Sequence, residues 1–89
     1  LSHITERVQE QWELPAELER SGISVIVSLK IGKDGKLINS WVEKSSGHTL
    51  FDESLMKAVT RAAPYPALPT GFEGDFLEVG LRFCPGCGG

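Results

Sequence analysis

No stretch of this 89-residue chain approaches the 18 or more consecutive apolar residues that a membrane-spanning helix needs. Charge of one sign is also scarce. Nine Lys plus Arg against twelve Asp plus Glu leave a formal net charge of −3, which gives no basic footprint for nucleic acid or an anionic membrane. Histidine is limited to His3 and His48, and cysteine to Cys84 and Cys87. A structural zinc site wants four ligands, and these histidines are far from the cysteines and not at ligand spacing, so neither metal nor cofactor is expected. There is no Gly-rich phosphate loop, no signal peptide and no initiating Met, so the chain reads as a piece of something longer, without targeting information of its own. What remains is ordinary globular composition, 40% apolar and 24% charged, enough for one domain with one small core.

Residues 1–83 read as that single domain. Ile4, Val8 and Trp12 recur at helical spacing and predict a helix from Ser2 to Glu13. Ser2 or Thr5 would cap it, and Pro15 ends it or sits in the turn after it; residues 1–20 are thus helix and turn. From Ile23 to Ile31 apolar and polar residues alternate, the cleanest period-two signal in the chain. Asp34-Gly35 within the following turn is a hairpin signal, because glycine accepts a positive φ. The returning strand, Lys36 to Ser45, completes a hairpin over residues 23–45. Its parity is uneven, and a β-bulge near Ile38-Asn39 would turn both Leu37 and Val42 inward and leave Trp41 on the open face; a packed Trp41 is the alternative. Ser45-Ser46-Gly47-His48 breaks the strand. Phe51, Leu55, Ala58, Val59 and Ala62 then form one stripe of a helix over residues 50–63, with Thr49 or Asp52 suited to its first turn. Pro64, Pro66 and Pro69 make a stiff connector. Phe76 to Phe83 alternates again, with Leu77, Val79, Leu81 and Phe83 facing in.

The order is α-β-β-α-β. A right-handed crossover gives a three-stranded sheet of order 2-1-3, with two helices on one face: an α+β two-layer sandwich. The last strand then lies on an edge, uninterrupted by proline and lightly charged, so its protection against pairing is weak.

The chain carries no catalytic constellation, and an enzyme is not expected. Ser45-Ser46-Gly47-His48 puts serine beside histidine, but no acid, base and oxyanion set accompanies it. Asp52 and Glu53 are successive helix positions that point about 100° apart and form no dyad. Cys84-Pro-Gly-Cys87 ends the chain, whereas a redox pair of this spacing normally opens a helix after a strand. Residues 84–89 are expected to be a flexible tail with two incidental thiols; a disulfide within the loop is the alternative in an oxidising compartment.

Several motifs, in order and spacing, resemble the C-terminal periplasmic domain of the TonB/TolA family of energy transducers. They are Glu10-Gln-Trp-Glu-Leu-Pro15, Lys33-Asp-Gly35 with Leu37, Val42-Glu-Lys-Ser-Ser-Gly47, Leu50-Phe-Asp52 with Ala58-Val59, Ala63-Pro-Tyr-Pro-Ala-Leu-Pro69 and Leu77-Glu-Val-Gly-Leu-Arg-Phe83. The connector is more similar to the TolA-type branch; the terminal cysteines match no family motif. The resemblance implies a parent anchored in the inner membrane, driven by a motor complex there, with this domain in the periplasm at its distal end. There it would grip a segment of an outer-membrane receptor or a periplasmic protein. Strand addition to an exposed edge suits such a grip, and the helix–sheet groove beside that edge would take the partner's inward side chains. The candidate partner-binding residues are Asp75, Phe76, Leu77, Glu78, Val79, Gly80, Leu81, Arg82 and Phe83. A homodimer pairing through the same edge, as a structural or oligomerisation domain, is the competing expectation.

Overall fold

A computed structural model describes residues 2–14 and 22–85. It contains helix α1 (Ser2–Gln11), strands β1 (Val25–Gly32) and β2 (Leu37–Lys44), helix α2 (Thr49–Ala62) and strand β3 (Phe76–Phe83). The sheet order is β2-β1-β3, and β1 runs antiparallel to both neighbours. The expected topology is therefore the observed one. The α1 helix ends two residues earlier than its apolar stripe predicts, at Gln11, with the Trp12 N–H bonded to the Gln9 carbonyl at 3.3 Å. The expected turn over residues 16–22 lies outside the described residues except for Gly22.

Central β1 is the most apolar strand, and its pleat sorts its residues cleanly. Val25, Val27, Leu29 and Ile31 are fully buried, while Ile26, Ser28 and Lys30 between them face the open side. Against β3 the ladder runs unbroken from Val25 opposite Phe83 to Gly32 opposite Phe76. Against β2 it is broken twice. Ile31 faces Leu37 but Lys30 faces Asn39, so Ile38 is an extra, bulged residue; Val27 faces Val42 but Ile26 faces Lys44, so Glu43 is a second. The first bulge is the one expected near Ile38-Asn39. It places Leu37 and Val42 opposite inward-facing Ile31 and Val27, and puts Trp41 on the open face opposite Ser28.

Ile4 and Val8 of α1 and Phe51, Leu55, Ala58, Val59 and Ala62 of α2 close the core over the buried face of β1. Three polar contacts fix the helices. Arg7 donates two hydrogen bonds to the Ala62 carbonyl, 2.7 and 3.1 Å, satisfying an orphan group at the end of α2. Trp12 Nε1–H donates to Ser54 Oγ at 2.9 Å. Buried Tyr65 donates its hydroxyl to the Val59 carbonyl at 2.7 Å. The N-cap of α2 is His48, without a side-chain cap bond, rather than Thr49. Asp52 instead reaches back: its carboxylate accepts the hydroxyls of Ser45 and Ser46 and the Ser46 N–H.

The proline connector is stitched to the hairpin tip. Tyr65 N–H donates to the Gly35 carbonyl at 2.8 Å, Leu68 N–H to the Lys33 carbonyl at 3.0 Å, and Lys33 N–H to the Asp75 carbonyl at 3.1 Å. Gly35 is required twice over. Its φ of +93° favours glycine, and a Cβ there would stand 1.9 Å from the Tyr65 carbonyl oxygen.

Candidate functional site

A sheet of order β2-β1-β3 has two edges, and the phase of the ladders decides what each offers. The Lys33 N–H bond to the Asp75 carbonyl marks that pair as hydrogen-bonded. Counting along the unbroken β3 register, Leu77, Val79, Leu81 and Phe83 turn their backbone groups towards β1. Phe76, Glu78 and Gly80 turn theirs away, and among the described residues no strand lies on that side. The other edge is guarded. Two bulges bend it, and the Ser40 N–H, which points away from β1, is taken by the Asn39 side chain at 2.9 Å. β3 is thus the edge with the unbroken ladder and β2 the blunted one.

The nine residues predicted from the sequence fall into two groups. Val79 and Phe83 are buried, and Leu77 and Leu81 half-buried, all facing the helices. Phe83 packs edge-on against Trp12, 5.7 Å between ring centroids. These four support the edge from beneath. Phe76, Glu78, Gly80 and Arg82 face the open side of the sheet, and Asp75 precedes them, exposed. Phe76 is 43% exposed, and the Lys30 ammonium sits 4.0 Å from its ring centroid.

A helix–sheet groove is expected beside the β3 edge. The one found there, about 400 Å³, is confined to the strand's C-terminal end, among Gln9, Trp12, Arg82, Phe83, Cys84 and Pro85. The larger groove, about 560 Å³, lies beside the opposite edge, between Val42 and the outer side of α2, and is lined by Asp52, Met56, Lys57 and Thr60 among others. The reason is the bulging of β2, which leaves Val42 37% exposed next to α2.

Around the Ser-Ser-Gly-His turn, the structure supplies hydrogen bonds with a structural role. Burial raises the Asp52 pKa, but the hydroxyls of Ser45 and Ser46, the Ser46 N–H and the nearby His48 charge outweigh it and hold the carboxyl below its usual 3.8. Both hydroxyls are thereby committed to Asp52. At the C-terminus, Cys84 is disulfide-bonded, which corrects the expectation of an incidental thiol there. Its Sγ lies 3.6 Å from the Gly22 carbonyl oxygen, a packing contact between the end of β3 and the approach to β1, since a disulfide sulfur has no proton to donate. Cys87 and the rest of the expected flexible tail, residues 86–89, lie outside the described residues.

The sequence pattern marks neither the Asn39 side chain as the cover of the β2 edge nor Lys30 as the partner of Phe76. Asn39 carries a recognisable signal, since short amides often bond a neighbouring N–H; which edge it blunts needs the register. Trp12 was legible as an apolar stripe member, but not as the clasp between α2 and the end of β3.

A family profile described as TonB C terminal matches residues 1–83. The Tol-Pal system protein TolA of Pseudomonas aeruginosa is 35% identical over 65 residues, 73% of this chain; the match spans 18% of that protein's length. Among solved structures, TolAIII bound to a peptide derived from the N-terminus of TolB superposes with a TM-score of 0.70 at 28% identity, covering 91% of this chain and 69% of that one. The Helicobacter pylori TonB C-terminal domain superposes at 0.71 with 21% identity, covering 93% and 76%. These agree with the α+β fold, the second through fold alone.

Proposed function

The chain belongs to the TonB C-terminal family, and from that premise we propose that it is the protein-binding end of a TonB/TolA-type energy transducer, nearer the TolA branch. It works in the periplasm and grips an extended segment of an outer-membrane receptor or periplasmic protein by adding that segment to β3. A motor complex of the inner membrane, reached through a segment outside these 89 residues, supplies the energy. The observation that carries this reading is the contrast between the two edges: β2 is bulged and side-chain-covered, whereas β3 keeps an unbroken ladder and presents the backbone groups of Phe76, Glu78 and Gly80. The similar TolAIII structure holds a partner-derived peptide, which is consistent with peptide capture. No catalytic step enters this reading.

The test is a titration of the 15N-labelled chain with extended peptides, read as amide shifts. Shifts centred on residues 76–83 support the reading. Shifts along the β2–α2 groove, or none at all, overturn it. Sedimentation at micromolar concentration separates the competing case, because a tight dimer that protects the β3 amides assigns the edge to self-pairing instead.

A further inference from the structure

The β3 edge also carries information about which segments it accepts, and this inference rests on the strand-addition reading above. We propose that the edge selects an extended peptide with a basic side chain opposite Glu78 and a bulky apolar side chain opposite Gly80. On the partner these are two residues apart, on one face, with an apolar residue between them pointing towards the helices.

Glu78 supplies the first half. Its neighbour directly across β1 is Lys30, the position from which a cross-strand ion pair is most easily made. Lys30 instead sets its ammonium over the Phe76 ring at 4.0 Å. Among the described residues the Glu78 carboxylate has no ion-pair partner. Glu78 also turns its backbone outward, so an added strand forms a face-to-face pair with it, and the residue in that pair stands beside the carboxylate. Exposed Asp75 at the same end adds a field of the same sign. A cation in the partner fits beside the Glu78 carboxylate; an acid there meets like charge.

Gly80 supplies the second half. Glycine weakens a strand and is normally explained by a positive φ or a close contact. Neither applies within this domain. Gly80 is absent from the positive-φ glycines, and a Cβ built on it meets nothing within 4 Å. Its other common cause in a strand is the close approach of another chain. The row across the open face runs Trp41, Ser28, Gly80. Gly80 therefore leaves low ground at the free edge, bounded on its inner side by the Glu43 carboxylate, which accepts the Ser28 hydroxyl at 3.0 Å and the Trp41 Nε1–H at 2.5 Å. A large side chain opposite Gly80 can lie across that ground, covering glycine backbone as aromatic residues do in cross-strand pairs.

The experiment uses the 15N-labelled chain and capped eight-residue peptides at low salt. Two carry Arg-Val-Phe or Phe-Val-Arg at the centre, one for each direction of strand addition. Counterparts replace Arg by Glu, or Phe by Ala. The expected result is that one basic peptide shifts residues 76–83 and binds about five-fold more tightly than its Glu counterpart, a difference that salt erodes. Glu78→Lys should reverse that order. Gly80→Val should abolish the preference for Phe over Ala while the remaining amide spectrum stays native. Equal affinities for the Arg and Glu peptides at this edge, or an order unchanged by Glu78→Lys, overturn the proposal and leave strand addition standing. A Phe preference that survives Gly80→Val overturns its second half. Failure of every peptide to shift residues 76–83 overturns both the proposal and the strand-addition reading.

Discussion

Two neighbouring proline substitutions should behave oppositely. Val79 turns its N–H towards Leu29 of β1, whereas Gly80 turns its N–H to the free edge. Val79→Pro deletes a ladder bond, leaves the Leu29 carbonyl unmatched and disturbs a side chain that is 8% exposed. An unsatisfied buried acceptor costs about 1–3 kcal/mol, and with the displaced Val79 side chain the total should reach about 3 kcal/mol. At about 4–8 °C per kcal/mol for a domain of this size, Tm should fall by at least about 12 °C. Gly80→Pro loses no internal bond. The fixed φ of proline costs something, but restricting the unfolded chain returns about 0.4–1 kcal/mol, so stability should stay within about 1 kcal/mol of the parent. Peptide binding should nevertheless weaken about five-fold, the worth of one hydrogen bond. Chemical denaturation and the amide titration measure both quantities on each variant. Equal destabilisation, or a Gly80→Pro protein less stable than Val79→Pro, would refute the assigned ladder phase and with it the list of outward-facing residues.

Gly35→Ala should destabilise by about 3 kcal/mol or more, because the added Cβ meets the Tyr65 carbonyl at 1.9 Å and φ is +93°; a Tm within a few degrees of the parent would argue against the stitched connector. Burial pushes the Tyr65 hydroxyl from 10.0 up to about 12, with Arg7 opposing it. A raised folded pKa means that stability is intact below pH 10 and is lost as pH rises towards 12, by about 3 kcal/mol in total. Tyr65 is the chain's one tyrosine, so tyrosinate absorbance tracks it alone, and Tyr65→Phe should be markedly less sensitive to alkali. Asp52 has the opposite sign: its lowered folded pKa contributes stability above pH 3.8 that disappears as pH falls through the folded value. Asp52→Asn should therefore flatten the acid limb of the denaturation profile, and an unchanged limb would count against the serine contacts.

The elements were readable because their periods were unambiguous. The alternation from Phe76 to Phe83 gave that strand its observed ends, and the 51, 55, 58, 59, 62 stripe gave α2 its buried face. The Ile38 bulge was legible from a parity conflict between Leu37 and Val42. The Glu43 bulge left no such conflict, since nothing apolar follows it in the strand. Backbone direction is invisible to side-chain periodicity, and this is why nine consecutive residues were expected at the site. Four of them, Leu77, Val79, Leu81 and Phe83, turn both side chain and N–H inward to the domain. Groove placement was missed for a related reason, because it depends on how far a bulged strand swings from a helix.

The bonds from Tyr65, Leu68 and Lys33 fix where β3 begins, and the Phe83–Trp12 contact fixes where it ends. A strand held at both ends does not slide lengthwise against β1. Under the proposed strand addition it would be a ruler with fixed graduations, one every two residues, against which an incoming chain aligns. Slippage by two positions would carry each partner side chain past the wrong mark, so the choice of register belongs to this domain and not to its guest.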